Sequence, residues 1–299
     1  MTVVPITDLR LQLGEGLHWD SVRQCLWGVD IHACLVWRWT PAIDVTETWH
    51  VGQRVGWVLP LKDRLDEVLL GLQSGIALAD IKTMQIKSWL QRPFVESPTM
   101  RLNDAKADIT GTIWCGSLNN DDESQPLGCL YRLSSTNGWQ VVDQDYMVAN
   151  GPAIDETQKV LMHTDSGRRT IYQFDLDVVA GTVSNKLIWK VFTEDEGYPD
   201  GMTFDAEGNV WVAHWGGGCI SRFATDGSLL VRAQLSTTNI TNVCFGGESL
   251  DRLFVTSAKA GLSSVQLSSD PNAGRVFEVL GHGLTGLKSL PAVIEVPTL

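Results

Sequence analysis

The sequence predicts an all-β fold, a six-bladed β-propeller with four-stranded blades, and three observations carry that reading. Large apolar residues centre six strand-like runs, at Trp27, Leu69, Trp114, Leu161, Trp211 and Phe254, spaced between 42 and 50 residues apart. Turn signals such as Glu207-Gly208-Asn209, Asp226-Gly227, Asn137-Gly138 and Thr110-Gly111 separate the runs, and no segment sustains a capped helical period, so helices should be incidental. Six units fill the 299 positions as one domain over residues 1–299, each unit close to the roughly 40–50 residues of a propeller blade.

Within a unit the elements follow in a fixed order. Four of the six first strands are headed by a carboxylate or an amide: E-G-L-H-W-D from Glu15, N-D-A-K-A-D from Asn103, N-G-P-A-I-D from Asn150 and D-G-M-T-F-D from Asp200. Each head stands five positions before a turn aspartate, Asp20, Asp108, Asp155 or Asp205. The second strand holds the large apolar centre. A third strand follows as C-L-V-W-R-W from Cys34, G-I-A-L-A-D from Gly75, C-L-Y-R-L from Cys129, I-Y-Q-F-D-L from Ile171, C-I-S-R-F from Cys219 and L-S-S-V-Q-L from Leu262. A more variable fourth strand, such as T-E-T-W-H-V or Q-I-K-S-W-L, leads onward, and Trp37, Trp39, Trp57 and Trp89 are expected to pack between blades.

Composition narrows the partners. An apolar content of 43% is enough to bury a full core. A net charge of -12 argues against a nucleic-acid backbone or an anionic membrane and favours small neutral molecules or cations. No apolar run approaches the roughly 20 residues that span a bilayer, and the N-terminal M-T-V-V-P-I-T-D lacks a leader's basic-then-apolar order. The expectation is a cytoplasmic protein. Its six cysteines include no C-x-x-C pair and read as reduced core thiols.

In a propeller the first strands line the central channel, so their heads face one another around one mouth. Counting five residues back from each turn gives Glu15, Val58, Asn103, Asn150, Asp200 and Asn242. Two carboxylates and three amides, with one apolar gap, form an all-oxygen set. It suits Ca²⁺, Mg²⁺ or Mn²⁺, and Zn²⁺ or Fe²⁺ if few protein ligands are used. The plainer alternative for any one of them is a strand or turn cap. Other motifs carry less: there is no H-E-x-x-H helix and no G-x-S-x-G elbow. G-H-G-L-T-G at Gly281 to Gly286 lacks a βαβ context and reads as a loop near the closure of the ring. The acidic run from Asn119 to Glu123 reads as a solvated loop over the channel, and His163 and His214 as internal, hydrogen-bonded histidines.

The motifs L-G-E-G-L-H-W from Leu13, R-L-N-D-A-K-A-D from Arg101, A-N-G-P-A-I-D from Ala149 and Y-P-D-G-M-T-F-D-A-E-G-N-V-W-V-A-H-W-G-G-G from Tyr198 resemble the SMP-30/gluconolactonase/regucalcin family of six-bladed propellers, over nearly the whole chain. The resemblance implies one divalent cation (Ca, Zn, Mn, Mg or Fe) and metal-dependent hydrolysis of a sugar lactone to its sugar acid. It implies Glu15, Asn150 and Asp200 as metal ligands, Asp200 also as general base, and Arg101 and Asn103 as substrate-binding residues. For Arg101 the alternative is a surface salt bridge. Trp57 is also placed to stack on a sugar, while Asn242 has no assigned role.

Two departures from the family pattern stand out. His214 replaces a leucine found in many members, and the segment after Gly116 is shorter than in the vertebrate proteins, so a substrate-contacting acid there is left open among Asp121, Asp122 and Glu123. Hydrolysis of other esters or phosphotriesters, or cation binding without turnover, are the competing functions. The expected state is a monomer or weak homo-oligomer.

Overall fold

Six four-stranded antiparallel sheets stand in a ring, the first strand of each against the first strands of both neighbours. This is the six-bladed β-propeller that the repeat predicts. The structure, a computed structural model, describes residues 1–90, 93 and 99–294. The inner strands are Gly14–Asp20, Val55–Leu61, Met100–Ala107, Ala149–Asp155, Tyr198–Phe204 and Ile240–Gly246. They are buried along almost their whole length, whereas outer strands such as Val45–His50 and Thr182–Val191 are largely exposed. That gradient explains why the first strand of each unit reads as a continuous apolar run and the fourth as variable.

The second-strand centres interleave between blades. Trp27 packs in one cluster with Val58 and Leu70 of the next blade, and Trp211 with Val243 and Phe245 of the blade after it. Two of the turn aspartates each tie a second-strand tryptophan down. Asp108 Oδ2 accepts from Trp114 Nε1 at 2.8 Å while its Oδ1 accepts from the backbone N–H of Thr110 and Thr112. Asp205 Oδ2 does the same for Trp211 Nε1 at 3.2 Å and pairs with Arg222. These aspartates cap turns, as their chemistry favours.

Blade 6 departs from the expected order. The segment L-S-S-V-Q-L is not its third strand: Ser264–Ser269 is a short α-helix, because the Ser263 side chain accepts from Gln266 N and the Gln266 side chain accepts from Ser263 N–H. That reciprocal capping box favours a helical turn over an extended run. The third strand is Val276–Leu280, and the fourth is Thr2–Pro5 from the other end of the chain. The N-terminus therefore clasps the ring shut. After Leu280 the G-H-G-L-T-G loop follows, and the chain touches Asp205, Ala107 and Leu61 in turn at the strand ends opposite Glu15. The reading of that motif as a closure loop fits this course.

Three tryptophans of the interblade set are buried, but Trp89 is half exposed on the outer strand Ile86–Leu90. An outer strand has solvent on one side, which an apolar residue type alone does not reveal. Trp57 packs against Gly71 inside the core, 1% exposed, and is not among the residues that line the site cavity, so it is not placed to stack on a sugar there. All six cysteines are free; Cys25, Cys115, Cys219 and Cys244 are buried, and Cys34 and Cys129 half-buried.

Candidate active site

Every inner strand breaks register near one end of the channel. The shifts fall between Glu15 and His18, Val55 and Trp57, Leu102 and Ala105, Asn150 and Ala153, Pro199 and Met202, and Ile240 and Asn242. A bulge sets two residues against one and re-aims side chains that strict alternation would send to opposite faces. Gly16 at φ +61° and Gly151 at φ +76° adopt the left-handed backbone that two of these bulges require.

The bulges gather Glu15, Arg101, Asn103, Asn150 and Asp200 around one cavity of about 540 Å³. Glu15, Arg101, Asn103, Asp104, Asn150, Asp200 and Asn242 are each no more than 5% exposed. Val58 is not part of this ring. It lies in the core with Val55 and Val68, and the extra residue at the bulge of its strand is Gly56, where any side chain would strike the backbone of Leu102 and Asn103. Blade 2 therefore contributes no side chain at this position.

Hydrogen bonds knit the set together. Arg101 Nη1 donates to Asn103 Oδ1 at 2.5 Å and to Leu102 O at 3.2 Å, and Arg101 Nε donates to Asn120 Oδ1 at 3.1 Å. Asn103 Nδ2 donates to Asn150 Oδ1 and to Ala149 O. Asn150 Nδ2 donates to Ser166 Oγ, whose own hydroxyl donates to Pro199 O at 2.6 Å. Arg101 is thus a buried hub and not a surface salt bridge. Asn242 Nδ2 reaches Glu15 Oε2 at 2.9 Å and both oxygens of Asp104, at 3.1 and 3.0 Å.

Asp104 and Ser166 are absent from the sequence reading. Asp104 had a signal: the residue after the head is glycine in E-G, N-G and D-G, and the fourth motif puts a carboxylate there. Alternation points Asp104 away from the channel beside Asn103, and only the bulge brings both inward. Ser166 lies beyond the second strand Val160–Asp165 of its blade and carries no motif.

Three buried acids close together perturb one another. Burial, then the charge of Asp104, pushes Glu15 up to about 8, and burial pushes Asp104 up to about 6. Asp200 is held well above the usual carboxylate range by burial and by the charges of Glu15 and Asp104. Burial lowers Arg101 to about 10, against the favourable charges of Glu123 and Glu15. Asp200 Oδ1 is buried with no hydrogen-bond partner among the described residues. An orphaned carboxylate oxygen among crowded acids and amide oxygens is an environment that a hard divalent cation fits. Among the described residues no three His, Cys, Asp or Glu side chains cluster closely enough to hold a metal, so amide oxygens would have to take part.

Leu13, Met147, Tyr198 and Trp215 give the cavity an apolar wall, with the Arg169 guanidinium 4.0 Å from the Tyr198 ring centroid. Of the three acids in the overhanging loop, Glu123 lines the cavity while Asp122 is bound to Ser124 and Gln125. His214 donates from Nδ1 to Glu196 O at 2.8 Å, as an internal histidine should. Neither ring nitrogen of His163 has a hydrogen-bond partner among the described residues; the ring instead meets Tyr146 edge to face at 4.6 Å, which corrects the expectation of a hydrogen-bonded role.

Buried acids and amides around one mouth of a six-bladed propeller define a class of protein. The chain belongs to it: the family described as "SMP-30/Gluconolactonase/LRE-like region" matches residues 13–259. Pentonolactonase XacC of Haloferax volcanii is 32% identical over 266 residues, 86% of each chain. The 6-deoxy-6-sulfogluconolactonase of Pseudomonas putida is 31% identical over 269 residues, 89% of this chain and 90% of its own. Among solved structures, a luciferin-regenerating enzyme aligns with a TM-score of 0.92 at 29% identity, over 98% of this chain and 99% of the other.

Proposed function

We propose that this protein hydrolyses a sugar lactone to its sugar acid, with a divalent cation held by Glu15, Asn150 and Asp200. The observation that supports it best is the orphaned Asp200 Oδ1, in a cavity that Glu15, Arg101, Asn103 and Asn150 also line. That relatives at 31–32% identity are named as lactonases supports the substrate class.

A bound cation would polarise the lactone carbonyl and make water a better acid. The same positive charge would keep Asp200 ionised despite its burial. Asp200 then takes a proton from the attacking water and returns it to the ring oxygen as the acyl C–O bond breaks. Arg101 Nη2, which has no hydrogen bond among the described residues, is the donor left for substrate oxygen. Asn103 lines the same wall and ties Arg101 to Asn150. Leu13, Tyr198 and Trp215 offer apolar surface to the C–H face of a sugar ring. The six free cysteines support a reducing compartment, as the cytoplasm is.

The test is a pH-indicator assay on γ- and δ-aldonolactones, with simple esters and a phosphotriester alongside, using protein stripped of metal and then reloaded. Lactone turnover that disappears on stripping and returns with a divalent cation is expected. Undiminished turnover after stripping would falsify the cation's part, and faster turnover of the phosphotriester would favour a different esterase activity.

A further inference from the structure

Beneath the cavity, Asn242 makes contacts that the proposed chemistry does not use. Its Nδ2 lies between two acids, 2.9 Å from Glu15 Oε2 and 3.0–3.1 Å from the two oxygens of Asp104. Its amide lies against the Cα of Gly201, the residue after Asp200: a methyl group at Gly201 would sit 2.5 Å from Asn242 Nδ2. One side chain from blade 6 therefore touches the head of blade 1 and the bulges of blades 3 and 5. It is 1% exposed, and its Oδ1 has no partner among the described residues.

The observed orientation of that amide puts its NH₂ group on both acids. Turned over, it would aim a carbonyl oxygen at Asp104 and Glu15 together, whereas in the observed pose both acids accept from one NH₂ group. The backbone N–H of Gly151, in the bulge of blade 4, lies near Asp104 and favours its ionised form. Glu15 Oε2 is further fixed by Gly16 N at 3.2 Å, which leaves Oε1 as the oxygen free to face the cavity.

We infer that Asn242, clamped by Asp104, is a positioning residue that presents Glu15 to the cation and sets the affinity of the site. This rests on the cation site proposed above. Partners behind a metal ligand orient it, and their loss typically costs roughly tenfold to hundredfold in affinity.

The experiment is isothermal titration of metal-stripped protein with Ca²⁺, Mn²⁺ and Zn²⁺ separately, paired with a thermal melt of the cation-free form. It uses wild type, Asn242→Ala and Asp104→Asn. Asn242→Ala should weaken binding by tenfold or more. Asp104→Asn should weaken it less, and should leave the cation-free melting temperature unchanged or raised, because one of three crowded acids is gone. Melting temperatures that fall while both variants keep wild-type affinity would reduce the pair to a structural role and overturn the inference. If Asn242→Ala does not fold, Asp104→Asn decides alone. A flat wild-type titration with all three metals would overturn the cation site itself, and is distinct from a site that binds but ignores Asn242.

Discussion

Asn103 Nδ2 lies 2.5 Å from Asn150 Oδ1, so the heads of blades 3 and 4 are joined by an amide–amide hydrogen bond at the mouth of the channel. Asn103 also accepts from Arg101, and Asn150 passes its own N–H to Ser166. One amide thus sets both the proposed substrate donor and a proposed cation ligand. Asn103→Ala should raise KM for a lactone and weaken cation affinity, each by about tenfold, as loss of an orienting partner does. Steady-state kinetics and calorimetry read the two effects. A change in KM with unaltered cation affinity would confine Asn103 to the substrate.

Asp200 has a sharper signature. Its Oδ1 has no partner among the described residues, so replacing that oxygen removes little that holds the fold. Asp200→Asn should lower kcat by roughly 10²–10⁴, the range of a lost general base. The circular dichroism spectrum should stay as it was. A variant that keeps more than a tenth of wild-type kcat would move the base elsewhere in the cavity.

Stability should depend on pH in a way that reports the acid cluster. Glu15 rises from 4.5 to about 8 and Asp104 from 3.8 to about 6 on folding. The folded form then keeps protons that the unfolded chain releases, and stability falls as pH rises through those intervals. Buried neutral histidines act in the opposite sense. Burial lowers His18 and His163 from 6.5 to about 3 and His214 to about 4, so their contribution is present above 6.5 and lost below it. Above pH 6.5 only the acids are left titrating. Cation-free protein should lose stability between pH 6.5 and 8, by on the order of 2 kcal/mol at about 1.4 kcal/mol per unit of pKa shift. Saturating divalent cation should flatten the slope, and apparent affinity should rise with pH as bound protons are displaced. Melting curves at half-unit steps with and without Ca²⁺ check all of this. A cation-free melting temperature that climbs over the same interval would contradict it.

These residues also show what the sequence could reveal. The spacing of Trp27, Leu69, Trp114, Leu161, Trp211 and Phe254 is a consequence of one supersecondary unit repeated, so the blades are legible. The heads Glu15, Asn103, Asn150 and Asp200 are legible for the same reason, since equivalent positions in a ring converge. Asp104 was hidden because a bulge breaks the two-residue alternation that places side chains in a strand. Val58 was misplaced by counting back from a weak turn signal, where the bulge residue is Gly56. Helix and strand could not be told apart at Leu262, where six residues are too few for a period and the Ser263 cap decided. The partner of Val276–Leu280 lies some 270 residues away by numbering, and no local pattern reports such a pairing.

That long-range pairing carries the last prediction. Thr2–Pro5 pairs with Val276–Leu280 over four residue positions, and Val3 packs on the core cluster that holds Phe277 and Val279. Removing residues 2–5 deletes the outer strand of blade 6 and bares the free N–H and C=O groups of Val276–Leu280. The loss should be about 2–4 kcal/mol, counting a few hydrogen bonds near 1 kcal/mol each and the burial of one valine. For a chain of this size that corresponds to a melting temperature lower by roughly 3–7 °C. A bared edge is also a template for pairing with another chain, so the truncated protein should form dimers or larger species as concentration rises. Differential scanning calorimetry and light scattering, run against the full chain, measure both effects. An unchanged melting temperature and a monodisperse truncated protein would mean that three strands suffice for blade 6 and that Thr2–Pro5 is not the clasp.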